Sequence, residues 1–265
     1  MKNPMQQTNI VEPSFFSNWA DLFMPPLANK LFLPLALKIS WLTPNIVTIF
    51  SFFLYVLGCL LLFIVFPYHL LLAAFLIPVA YLLDCLDGQL ARTKKQFSTV
   101  GDYLDKTLDV LKIYIVTLSL AFALFQSTQN PLWFVLGMTA CFFFNYRYYL
   151  KLETVLTATG RDVTYLEKCS AYRKEQYVLL REKYAEMKKT PIGFVKHFWL
   201  RNRIIFFVDE AEFVLITSIG ALFNRLDIAL IILAVSQLWI AIFRLFERGY
   251  QIKTNSVTLI KPMRK

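Results

Sequence analysis

Glycine, histidine and cysteine are scarce in this 265-residue chain, at eight, two and four copies. So few glycines, without alternating ten-residue strands, argue against an outer-membrane β-barrel. Neither His69 nor His197 has a partner at useful spacing, so no chemistry is assigned to them. Cys59, Cys85, Cys141 and Cys169 lack metal-ligand spacing, and three of them lie in or beside apolar runs. They read as reduced packing residues rather than disulfides. The opening MKNPMQQTNIVEP lacks the charged start and directly following apolar core of a secretory signal. No internal repeat or low-complexity linker divides the chain, so a single membrane domain is the economical organisation.

What the chain has in abundance is apolar surface. Hydrophobic residues make up 57% of it, more than a soluble domain of this length needs, which predicts an all-α polytopic membrane protein. The net charge of +10 raises nucleic acid as a partner, but the basic residues sit in short stretches between apolar runs. That distribution fits membrane topology and contact with anionic lipid head groups, so no nucleic-acid partner is expected. Six spans are expected, at about 43–66, 69–92, 101–125, 131–149, 204–223 and 228–246. Thr43-Pro44 is a helix start, with threonine as cap and proline in the first turn. Pro78 is a candidate kink in the second span. The segment 1–40 is expected to lie in the interface as amphipathic helices, because Pro25-Pro26 break it. Residues 41–250 form the membrane domain, with a charged insert at 151–203, and 251–265 a basic tail. The lysine- and arginine-rich loops all fall on one side, which puts both termini and the 92–101 loop in the cytoplasm.

The stretch Asp84 to Asp109 carries the chemistry. Asp84/Asp87 and Asp105/Asp109 are pairs at three- and four-residue spacing, so each pair occupies one helix face. Two antiparallel neighbours joined by a short loop would bring all four to similar depth. Acids crowded at a membrane edge are costly without a positive partner, and oxygen donors of this kind select hard divalent cations. A two-cation site suits phosphoryl transfer. Gly88 and Gly101 would let a ligand approach backbone closely, and Arg92 offers a planar fork for phosphate. Each residue alone has a plainer use as packing, helix pairing or topology; together at this spacing they do not. A transporter would more naturally spread its acids across the membrane depth, whereas these crowd one mouth.

The pattern Asp84-x2-Asp87-Gly88-x2-Ala91-Arg92-x8-Gly101-x3-Asp105-x3-Asp109 resembles, without departure, the signature of the CDP-alcohol phosphotransferase family. Thr43-Pro44-Asn45 and the six-span layout are similar to that family too. The resemblance implies transfer of a substituted phosphate from a CDP-linked donor to an alcohol, with release of CMP. It implies Asp84, Asp87, Asp105 and Asp109 as ligands of two divalent cations, Mg²⁺ or Mn²⁺, and Asp109 as general base. Gly88, Ala91, Arg92, Gly101 and Asp105 would border the nucleotide. It also implies a homodimer and, for the commonest bacterial arrangement, a CDP-diacylglycerol donor with a small alcohol acceptor at the cytoplasmic face of the inner membrane. A CDP-choline-type donor with a lipid alcohol acceptor would use the same acids, and a non-catalytic transporter or binding protein is the remaining alternative.

Asp209, Glu210 and Glu212 form a second acidic group in the fifth span. One reading is a pocket for a neutral polyol or cationic alcohol; the other is a salt bridge within the bundle, with Arg147 or Arg203. Arg147 itself, in the NYRYY run closing the fourth span, reads as an interfacial anchor or a headgroup contact. Lys94 and Lys95 could attract the nucleotide or simply mark topology.

Overall fold

The computed structural model describes residues 24–96, 98–158 and 208–254. Every regular element among them is an α-helix. They run in order α1 (Met24–Leu31), α2 (Leu33–Lys38), α3 (Pro44–Leu60), α4 (His69–Lys94), α5 (Thr99–Thr128), α6 (Leu132–Ala158), α7 (Glu210–Leu222) and α8 (Leu226–Lys253). Of these α4, α5 and α8 are long and apolar enough to cross a membrane, and α3 is a shorter apolar helix.

Local chemistry places the ends. Thr43 Oγ1 accepts from the Ile46 N–H at 3.4 Å with Pro44 in the first turn, the start expected for α3. Ser98 Oγ accepts from the Gly101 N–H at 3.2 Å and begins α5 slightly ahead of the expected Gly101. Left-handed residues close several ends: Tyr68 and Lys95 flank α4, Gln129 follows α5, and Asn224 turns the chain between α7 and α8. Helix α4 is continuous through Pro78. Helix α3 stops at Leu60, short of the expected end near Phe66. Helices α6 and α8 continue past their expected ends to Ala158 and Lys253. Of the N-terminal amphipathic stretch, Met24–Lys38 forms α1 and α2; the earlier residues, the bulk of the charged insert (159–207, with Cys169, His197 and Arg203) and the tail from 255 lie outside the described residues.

Helix α3 packs against both α4 and α5, while α4 and α5 make little direct contact with each other. The expected pair of adjoining neighbours is therefore a pair of helices opened around α3. Helix α7 packs on α4 and α8, and α6 joins α5 to α8. Buried Tyr55, Ile77, Ile113, Leu120, Phe213 and Leu230 fill the centre. Glycines set the closest crossings: a Cβ on Gly58 would stand 2.8 Å from Ile77 Cγ1, and one on Gly220 2.6 Å from Ala229 Cβ. Outward faces carry exposed Phe50, Phe53, Phe75, Val235 and Trp239, as expected where the solvent is hydrocarbon. Among the described cysteines, Cys59 is buried and Cys85 and Cys141 are half-buried, and none of the three forms a disulfide.

Candidate active site

The gap between α4 and α5 is where the carboxylates meet. Asp84 on α4 and Asp105 and Asp109 on α5 each offer one oxygen, and the three lie within 4.8 Å of one another. Oxygen ligands bind divalent cations at roughly 2.0–2.6 Å, so ligands on opposite sides of one ion stand about 4–5 Å apart. The triad fits such an ion in both donor type and spacing.

Asp87 is not part of that triad. It is buried, and the Thr48 hydroxyl on α3 donates to its Oδ2. One turn along α3, Ser51 Oγ reaches Asp84 Oδ1 at 3.2 Å. Thus α3 presents a hydroxyl to each member of the first acidic pair, at the i, i+3 spacing that aligns them on one face. Three of the four acids expected to gather thus form the triad, and Asp87, one turn along α4 from Asp84, is held by the Thr48 hydroxyl.

Lys112 is the residue that the sequence reading missed. Its side chain is 2% exposed, and Nζ stands 2.7 Å from Asp84 Oδ1 and 2.9 Å from Asp109 Oδ1. Glu210, at the start of α7, lies 3.6 Å from the same nitrogen. An ammonium among several acids supplies the positive charge that such a group needs in a low-dielectric setting. The signal was present: a lysine three residues after Asp109, inside an apolar run, is an intramembrane charge and asks for a partner.

The signature's remaining residues sit on the same two helices, α4 and α5. The Arg92 guanidinium folds back over Gly88, where an added Cβ would meet its nitrogens at 3.4–3.5 Å, an ordinary contact. Arg92 Nε reaches Gln89 Oε1 at 3.4 Å. Gly101 is tighter: a Cβ there would lie 2.6 Å from Asn45 Oδ1. Its smallness admits the Asn45 side chain, which brings the start of α3 against the start of α5. Ala91, one residue before Arg92, is half-buried near the end of α4. Lys94 does not face the gap, since its Nζ binds the Ile39 and Leu42 carbonyls at 3.0 and 2.7 Å. His69 Nδ1 is taken up by the Leu61 carbonyl at 2.8 Å.

The second acidic group is held within the protein. Arg147 Nη2 pairs with Asp209 Oδ1 at 2.8 Å and with the Val208 carbonyl at 3.2 Å, and its guanidinium lies over the Phe144 ring. The salt-bridge reading of Asp209 therefore holds with Arg147, which turns into the bundle instead of anchoring at its surface. Glu212 is fully buried and its carboxylate accepts from the Asp209 N–H at 3.0 Å, completing a capping box that the spacing Asp209-x2-Glu212 already spelled.

Residues 41–164 match the family model described as CDP-alcohol phosphatidyltransferase. The bifunctional IPC transferase and DIPP synthase of Thermococcus kodakarensis is 30% identical over 104 residues, 39% of this chain. The match spans only 22% of that relative's length. Among solved structures, Mycobacterium tuberculosis phosphatidylinositol phosphate synthase (PgsA1), crystallised with CDP-DAG bound, aligns with a TM-score of 0.52 and 19% identity. The alignment covers 90% of this chain and 96% of that one, a likeness of fold.

Proposed function

We propose that this chain, whose residues 41–164 match the CDP-alcohol phosphatidyltransferase family model, moves a substituted phosphate from a CDP-linked donor to an alcohol hydroxyl, releasing CMP. CDP-diacylglycerol is the donor we favour, with a small alcohol as acceptor. The observation that carries this reading is the convergence of Asp84, Asp105 and Asp109 within 4.8 Å in the opening between α4 and α5.

In this reading Asp84, Asp105 and Asp109, with Asp87 beside them, hold two divalent cations, Mg²⁺ or Mn²⁺. Bound there, such ions draw charge from the phosphate oxygens and from the departing CMP. The chain's own groups do the rest. Arg92 offers its fork to the pyrophosphate while Gly88 and Ala91 keep the approach low, and Gly101 and Asp105 border the nucleotide from α5. Asp109 takes the acceptor's hydroxyl proton as the new P–O bond forms and the bond to CMP breaks. Thr48 and Ser51 fix the rotamers of Asp87 and Asp84 before substrate arrives, which removes a reorganisation cost from the reaction.

The helices α3 to α8 are the six spans of this reading, with both termini and the acidic opening on the cytoplasmic side of a bacterial inner membrane. Residues 1–40 lie in the interface, 41–250 form the catalytic domain with its insert at 151–203, and 251–265 is a tail. The acceptor is a neutral or cationic alcohol, because Arg147 is already committed to Asp209 and the acids around Lys112 would repel a second phosphate. Efficient use of glycerol 3-phosphate would sink that choice. A homodimer is expected, and light scattering of the purified protein in detergent would contradict it by returning a monomer mass.

The test of the reaction is CMP release by purified protein offered CDP-diacylglycerol or CDP-choline with a panel of alcohols. We expect metal-dependent release that is lost in Asp109→Asn. Tight CDP binding without turnover on any acceptor would point to a binding protein instead.

A further inference from the structure

We propose that Lys112 is a resident competitor for the cation at the acidic triad, and that Glu210 is the place to which its ammonium withdraws. The inference rests on the metal-binding reading above and concerns how that binding is tuned. Lys112 follows Asp109 by three residues on α5, so both side chains leave the same helix face. Its buried Nζ lies at 2.7 and 2.9 Å from Asp84 Oδ1 and Asp109 Oδ1, on two of the three carboxylates that would ligate an ion.

The second observation is on α7. Glu210 Oε1 is buried without any hydrogen-bond donor, and it stands 3.6 Å from Lys112 Nζ. A carboxylate oxygen left that way costs free energy, because charged acceptors buried without donors forfeit their hydration. An ammonium has three N–H groups, and here two point at Asp84 and Asp109. A movement of about 1 Å would bring the nitrogen into hydrogen-bond range of Glu210. Lys112 thus has two homes, one used and one nearly made. A dication drawn to Asp84 and Asp109 repels the ammonium from the first home, and Glu210 receives it. Affinity for the ion then reflects the difference between the two homes, which keeps the site's hold on a cation moderate despite its many acids.

The two residues therefore act with opposite sign. Mn²⁺ titration of full-length protein in nanodiscs without substrate, followed by electron paramagnetic resonance, reads the effect directly. Lys112→Met should bind Mn²⁺ about tenfold tighter or more, the scale expected for removing one charge a few ångströms from a dication. Glu210→Gln should bind it more weakly, because the ammonium loses its retreat. In the double variant the Glu210→Gln effect should shrink to within about twofold, since it acts through Lys112. Thermal unfolding in the same nanodiscs checks the fold; if Lys112→Met does not fold, Lys112→Gln carries the same sign test. Weaker or unchanged binding on losing Lys112 overturns the proposal, as does a Glu210→Gln loss that persists in full without Lys112, which would make Glu210 a ligand. Absence of Mn²⁺ binding by the unaltered protein would instead refute the metal-binding reading on which the proposal rests.

Discussion

Removing the Thr48 hydroxyl should weaken the site through Asp87 alone. The substitution Thr48→Val keeps the side chain's shape on α3 and deletes the donor to Asp87 Oδ2. That hydroxyl has one proton and a second acceptor in reach, the Pro44 carbonyl at 3.1 Å, so its commitment to Asp87 is a choice the carboxylate enforces by charge. Asp87 is 7% exposed, and water cannot readily take the hydroxyl's place. A hydrogen bond to a charged group is worth about 1.5–3 kcal/mol. At ~1.4 kcal/mol per tenfold, the half-saturating Mg²⁺ for CMP release should rise by about 10- to 100-fold. Saturating Mg²⁺ should recover much of the rate, and Thr48→Ser, which retains the donor, should stay near the unaltered protein. A Thr48→Val enzyme with unchanged Mg²⁺ dependence would refute the reasoning, because Asp87 would then be positioned without Thr48.

Gly101→Ala drives a methyl to 2.6 Å from Asn45 Oδ1 and should depress CMP release; Asn45→Ala in the same chain should restore part of it, and no restoration would show that the space serves something else. Arg147→Met should lower thermal stability by ~1–2 kcal/mol, a figure kept small because the Asp209 side chain is 43% exposed, with an unshifted unfolding midpoint as the contrary result. Gly220→Ala should destabilise by ~1–3 kcal/mol through overpacking on Ala229 Cβ at 2.6 Å, and Ala229→Gly should relieve it; equal instability of single and double variants would count against the contact.

Much of the scaffold was legible because its cues are local. Thr43 and Pro44 announce a helix start by their own chemistry, and the apolar runs locate the helices, with ends off by up to about two and a half turns. The acidic signature was legible for a similar reason, since i, i+3 and i, i+4 spacing fixes a shared face without reference to anything distant. What was not legible depends on which helix stands between which. Thr48 and Ser51 are unremarkable in an apolar run until α3 is known to separate α4 from α5. Asp87 looks equivalent to Asp84 until Asp84 is seen to converge with Asp105 and Asp109. Lys112 and Glu210 are about a hundred residues apart, and no periodicity links them. Glu212, by contrast, was readable: Asp209-x2-Glu212 before an apolar run is a helix start, and its acids needed no ligand to explain them.

The short helices before Trp41 bear on where this molecule can be cut. Leu33 and Ala36 of α2 are buried against Leu86 and Leu90 of α4, on either side of Asp87 and Gly88 in the chain. Lys94 ties the backbone after α2 to the end of the same helix. The family match begins at residue 41, yet the buried core begins earlier, with Met24, Ala28, Leu33 and Ala36. A chain trimmed to the match would keep every signature residue and lose the surface that braces the helix carrying most of them. Domain limits drawn from recognisable sequence and limits drawn from shared burial differ here by two helices, and the second kind decides what survives outside its membrane.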